Sequence, residues 1–128
     1  AETFLGLSSV GFPNFFIVSG PGSPAVLTNV VYSIEQHVDW IADCLSYLRE
    51  KKIDVIEAEE SAQAAWGEEL NAMAKFMPLI AEGDSWYVGA NVPGKPRRFM
   101  IHLNWPGYVE RCNQVAAEGY SGFVKEPA

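Results

Sequence analysis

The chain has 128 residues, the length of one ordinary domain or of one piece of a larger one. With 48% apolar and 20% charged residues it lies among folding sequences, and a formal charge of −7 argues against general nucleic-acid binding because the overall field repels polyanions. Its apolar runs are too short to cross a bilayer and no basic region followed by an apolar stretch opens it, so a cytoplasmic protein without membrane association is expected.

In chain order, the run Phe15-Phe16-Ile17-Val18 predicts a short, fully buried strand, stopped by Ser19-Gly20-Pro21-Gly22-Ser23-Pro24. Ile34, Val38, Ile41, Leu45 and Leu48 recur at steps of four and three, the stripe of an amphipathic helix. Ser33 with Gln36 makes a capping-box pattern for its start, with a start one turn earlier near Asn29 as the alternative, and Lys51 and Lys52 suit its carboxy-terminal end. Ile53 to Ile56 fits a short strand. Ala62, Trp66, Leu70, Met73 and Met77 then mark a second helix ending before Pro78, with an acidic exposed face.

Asp84 to Lys95 reads as an aromatic strand start running into a Gly/Pro loop, and Arg97 to Leu103 as a further strand. Pro106 opens a third helix with Tyr108, Cys112 and Val115 on one side and Gly119 as its cap. The class is mixed α and β, and the loops after the strand candidates are the places for function. Cys44 and Cys112 occur without a C-x-x-C or a Cys/His cluster, so two buried free thiols and no metal site are expected.

Three strings in order carry a resemblance: Gly20-Pro21-Gly22-Ser23-Pro24 with Leu27-Thr28-Asn29 and Ser33 to Asp43; Asp84-Ser85-Trp86-Tyr87 with Gly89 to Pro96; and Val115 to Tyr120 with Gly122-Phe123. Together they resemble the carboxy-terminal part of Baeyer–Villiger monooxygenases of the phenylacetone and cyclohexanone type. The resemblance implies part of a flavoprotein fold with two dinucleotide-binding domains, one for FAD and one for NADP. It implies an enzyme that uses NADPH and molecular oxygen to turn a ketone into an ester or lactone. Residues 1–52 would end the FAD-binding domain, and residues 53–128 would cover the active site. Ile101 to Pro106 departs from the family's usual Gly-rich stretch, which puts the local substrate-side shape in question.

No G-x-G-x-x-G occurs in the sequence, so the glycine-rich turns that hold the two pyrophosphates must come from elsewhere: amino-terminal FAD and NADPH domains, or a partner chain carrying them. Alone, the chain is expected to be inactive. The rival reading is a free-standing, non-catalytic binding or oligomerisation module, and a homodimer is possible under either.

Thr28-Asn29-Val30 lead into the first helix, whose free N–H groups suit an anion; taken alone this reads as a helix start without a ligand. The resemblance turns it toward the flavin ring, where the helix dipole would favour negative charge. By the same resemblance Ala25, Val26 and Leu27 line the ketone pocket and Trp86 lies against NADP. Lys95 reads as solvated, His37 as a surface or half-buried histidine, and Glu57 to Glu60 with Glu68-Glu69 as solvated faces. No catalytic residue is nominated, because in the family the chemistry belongs to the flavin.

Overall fold

The computed structural model describes residues 1–24 and 27–128. A tight turn opens the chain: Phe4 bridges Ser8 through Leu5 and Gly6, both at positive φ, and drives Leu5 and Leu7 into the core. Phe15 to Val18 form no strand. Asn14 and Ser19, at φ 58° and 55°, bend the chain at either side of the run. Its backbone bonds go singly to neighbours, Asn14 N–H to Ile56 O and Ile17 N–H to Leu7 O, so no ladder forms and Phe15 and Val18 stay exposed.

Helix α1 spans Val30–Lys51 and is capped by Asn29, whose Oδ1 accepts from Val31 N–H at 3.0 Å. The earlier of the two starts is the one used, and Ser33 lies buried inside the helix instead of capping it. Lys52 ends it in the left-handed conformation, with Arg49 and Lys51 in the last turn. The buried face is Ser33, His37, Trp40, Cys44 and Leu48. The expected stripe is rotated one residue away, so Ile34, Val38 and Leu45 lie on the surface.

Strand β1 (Ile53–Ala58) pairs antiparallel with β2 (Phe123–Pro127), with a register irregularity between Ile53 and Val55. The second strand was not foreseen. Between them run α2 (Glu60–Met73), a 3-10 turn at Ala74–Phe76, α3 (Pro78–Glu82), a second 3-10 turn at Trp86–Val88 and α4 (Trp105–Ala117). Helix α4 begins as expected with Pro106 in its first turn and is followed by Gly119 at φ 72°.

Asp84 to Val88 is thus a capped turn, not a strand start, because Ser85 Oγ accepts from Tyr87 N–H and closes the chain on itself. Residues 97–103 have no regular structure; Phe99 and Ile101 are buried, but no strand forms. Their partners are isolated: Met100 N–H donates to Tyr87 O, and His102 N–H to Ser23 O.

The main core gathers Phe4, Leu5 and Leu7 with Trp40 and Cys44 of α1, Ile56 of β1, Trp66 and Leu70 of α2, Tyr108 and Cys112 of α4, and Phe123 of β2. It draws on residues before and after position 52 alike. A smaller core of Val88, Phe99 and Ile101 fixes the turn that carries Trp86. Both cysteines are buried and free, as expected. Burial pushes the Cys44 thiol up to about 12 and the Cys112 thiol up to about 11.

Candidate functional site

Two regions hold the residues expected to meet a cofactor. The first is the amino end of α1. First-turn N–H groups have no acceptor within a helix; Asn29 satisfies Val31 through its side chain and Ser33 through its carbonyl. Val30 and Tyr32 stay at the exposed surface, Thr28 is half-buried, and no acidic residue occupies the first turn. The positive end of a 22-residue helix therefore faces outward. Leu27, exposed, folds its N–H back onto Pro24 O at 3.1 Å. Ala25 and Val26, expected beside it in the ketone pocket, lie outside the described residues.

The second region is the Trp86 turn. Trp86 is 54% exposed and its ring lies tilted against that of Tyr87 at 3.9 Å between centroids, so about half of it remains accessible. Next to it a cleft of about 500 Å³ opens between Gly89, exposed Lys95, Arg98 and Gln63; Trp86 is not among its lining residues. Thr28 to Val30 do not line it either.

His37 differs from its expected surface or half-buried position: it is completely buried. Its Nδ1 accepts from Ser19 N–H at 2.9 Å, and its Nε2 meets Tyr108 Oη at 2.6 Å, which in turn donates to Leu5 O at 2.6 Å. Burial lowers its pKa to about 4. Tyr108, which burial holds well above the usual phenol range, had been legible only as a core residue. A buried tyrosine hydroxyl needs a partner, and that need was the available signal.

His102 is buried as well, stacked on Trp66 at 5.4 Å, and burial lowers its pKa. Arg111 covers the other aromatic neighbourhood of Trp66 at 5.7 Å and bonds Glu69 Oε1 at 3.1 Å, so Glu69 is half-buried and paired where a solvated residue was expected. Among the described residues, no group of three or more His, Cys, Asp or Glu could hold a metal ion, and no helix is long and apolar enough to cross a membrane.

No family model matches the chain. Whole proteins do. A Baeyer–Villiger monooxygenase of Pseudooceanicola batsensis is 36% identical over 124 residues, 96% of this chain and 22% of its own length. An acetone monooxygenase (methyl acetate-forming) of Gordonia sp. is 37% identical over 125 residues, 96% of this chain and 23% of its own. Among solved structures, an oxidized steroid monooxygenase bound to NADP superposes with a TM-score of 0.89 at 41% identity, over 100% of this chain and 23% of the other. Cyclohexanone monooxygenase from Rhodococcus sp. Phi1 bound to NADP+ gives 0.88 at 36%, over 99% of this chain and 24% of the other.

The fold is therefore that of one segment of the flavin- and NADP-binding monooxygenases. Within that class the chain is similar to Baeyer–Villiger monooxygenases, and it spans less than a quarter of the length of these relatives.

Proposed function

We propose that the chain is the carboxy-terminal part of an FAD- and NADPH-dependent monooxygenase that inserts an oxygen atom from O2 into a ketone, giving an ester or lactone. The observation that carries this reading is the near-complete coverage of the chain, at 36–37% identity, by enzymes of that name. In this reading residues 1–52 end the FAD-binding domain and residues 53–128 cover the active site. The whole enzyme would work in the cytoplasm.

The cofactors fit the chain at their edges only. The exposed amino end of α1, free of acidic residues, suits a ring that gains negative charge on reduction, and Thr28, Asn29 and Val30 would approach it. Trp86, half-exposed and carrying an indole N–H, suits the nicotinamide and ribose of NADP. The flavin, when bound, supplies the redox and oxygen chemistry. This chain's residues would orient it through the helix dipole, keep water from the ketone with the apolar side chains of Ala25, Val26 and Leu27, and hold the nicotinamide in place. The pyrophosphates would be held by FAD and NADPH domains outside the 128 residues.

An unpartnered apolar face supports the same reading. Val31 is 62% exposed, and Ile34, Val38 and Leu45 continue its side of α1. The missing domains would cover it. It would also serve a homodimer of a free-standing module, which light scattering of the purified chain would detect.

The test is a chimera in which this chain replaces the matching quarter of a cyclohexanone monooxygenase. NADPH-dependent lactone formation is expected. A chimera that binds FAD and oxidises NADPH yet makes no lactone refutes the reading. The 128-residue chain by itself should be colourless after dialysis and inactive, since a helix end contributes about 0.3–2 kcal/mol, far short of tight flavin binding.

A further inference from the structure

The turn Ser19 to Pro24, which leads directly into Ala25, is gripped from several sides. Ser19 has φ 55°, a left-handed conformation that a residue with a side chain keeps only when its surroundings impose it. Thr3 Oγ1 donates to Pro21 O at 2.6 Å, Gly22 N–H donates to Met100 O at 2.9 Å, and Ser23 O accepts from His102 N–H at 3.1 Å. The turn lies flush on Gly6: a Cβ there would stand 2.8 Å from Ser23 N, and one at Gly20 would stand 2.5 Å from Gly6 O. Pro24 is fully buried, and its carbonyl receives Leu27 N–H.

The grip on the strained residue itself comes from α1. Ser19 N–H donates to His37 Nδ1 at 2.9 Å. That bond fixes the tautomer: Nδ1 must be the acceptor, so Nε2 carries the proton and donates to Tyr108 Oη, whose hydroxyl proton goes on to Leu5 O. One imidazole thus ties the turn, α1, α4 and the amino-terminal turn together. Its Nδ1 is the only group recorded as holding the Ser19 amide among the described residues.

We propose that His37, as an Nε2–H imidazole, is a positioning residue that sets the Ser19 to Pro24 turn and, through the bond from Leu27 N–H to Pro24 O, the position of Leu27 at the ketone pocket. The second half of this statement rests on the monooxygenase reading above. His37 does not touch the reacting atoms; it acts through the backbone it holds. The burial that keeps it uncharged near neutral pH keeps Nδ1 available as an acceptor.

Amide exchange on the 128-residue chain tests the clamp. His37→Leu removes the acceptor, and the Ser19 amide should exchange about tenfold faster while amides of the β1–β2 pair are unchanged. His37→Asn, whose Oδ1 stands near the place of Nδ1, should restore Ser19 protection. Uniformly faster exchange at all amides would mean a merely structural histidine and would overturn the proposal. Should His37→Leu fail to fold, long-range 15N spectra of the wild-type imidazole decide: an Nδ1–H or charged ring overturns it. In the full-length enzyme His37→Leu should raise KM for the ketone about tenfold with little change in KM for NADPH, and His37→Asn should return it. A loosened Ser19 amide with an unchanged ketone KM refutes the link to the pocket. If the wild-type enzyme oxygenates no ketone, the monooxygenase reading falls and the exchange data still decide the clamp.

Discussion

Replacing Trp40 by Ala and Val38 by Ser, two residues apart on α1, should have opposite consequences. Trp40 is 5% exposed; its ring meets Phe16, Tyr120 and Phe123 at 6.4, 5.1 and 6.0 Å between centroids, and its Nε1 donates to Cys112 O at 2.9 Å. Truncation removes the ring from the meeting point of α1, α4 and β2 and leaves a cavity, a loss of about 3–5 kcal/mol. Val38 is 49% exposed, so Val38→Ser should cost no more than about 0.5 kcal/mol. With a urea m-value of roughly 2 kcal/mol/M, the midpoint should fall by about 2 M for the first variant and by less than about 0.3 M for the second. Urea titration followed by tryptophan fluorescence and, independently, by circular dichroism measures both. Equal losses, or a larger one for Val38→Ser, would refute the assigned face of α1.

Titration of His37 should show in stability. Its folded pKa of about 4 lies below the usual 6.5, so the unfolded chain binds more protons between those values. Stability is therefore fully present above pH 6.5 and is lost as the pH falls through 4, by roughly 3 kcal/mol from this one group. Urea midpoints at pH 7, 5.5 and 4 should decline less steeply in His37→Asn than in the wild type. Cys44 and Cys112, buried with raised pKa values, should resist a disulfide labelling reagent at pH 8 in native buffer and react fully in denaturant; fast native labelling would contradict their burial. In the full-length enzyme Trp86→Ala should raise KM for NADPH while costing about 1 kcal/mol of stability, because half its surface is already exposed. A large melting loss with an unchanged KM would place Trp86 in a core instead.

Helix positions were legible in the sequence, but the environment of their faces was not. Two apolar stripes run along α1, Ile34-Val38-Ile41-Leu45 and Trp40-Cys44-Leu48, and a 3.6-residue period cannot say which one meets this chain's own core. Trp40 and the polar His37 won because α4 and the Ser19 to Pro24 turn offer His37 a hydroxyl and a backbone N–H. Two of the three strand errors share a cause. Phe15 to Val18 and Arg97 to Leu103 have strand-like side chains, but their backbone groups bond one at a time to turns, and pairing is a property of the partner. Of the candidate site, Asn29 caps α1 and Trp86 lies exposed on its turn, whereas the role of His37 depends on Tyr108, 71 residues away, which no local pattern reports.

Ala128 N–H donates to Lys52 O at 2.9 Å, which anchors the chain's last residue beside the carboxy-terminal cap of α1. The amino end of that helix, with its outward-facing first turn, lies 22 residues and so about 33 Å along the axis. A tether or dye appended after Ala128 would therefore leave Asn29 and its surroundings unobstructed. Immobilised this way, the protein would present the Thr28 to Val30 end to a flowing solution of flavin or of partner domains, and a dye at position 128 with a second near residue 29 would report through distance-dependent transfer whether the helix keeps its length when they arrive.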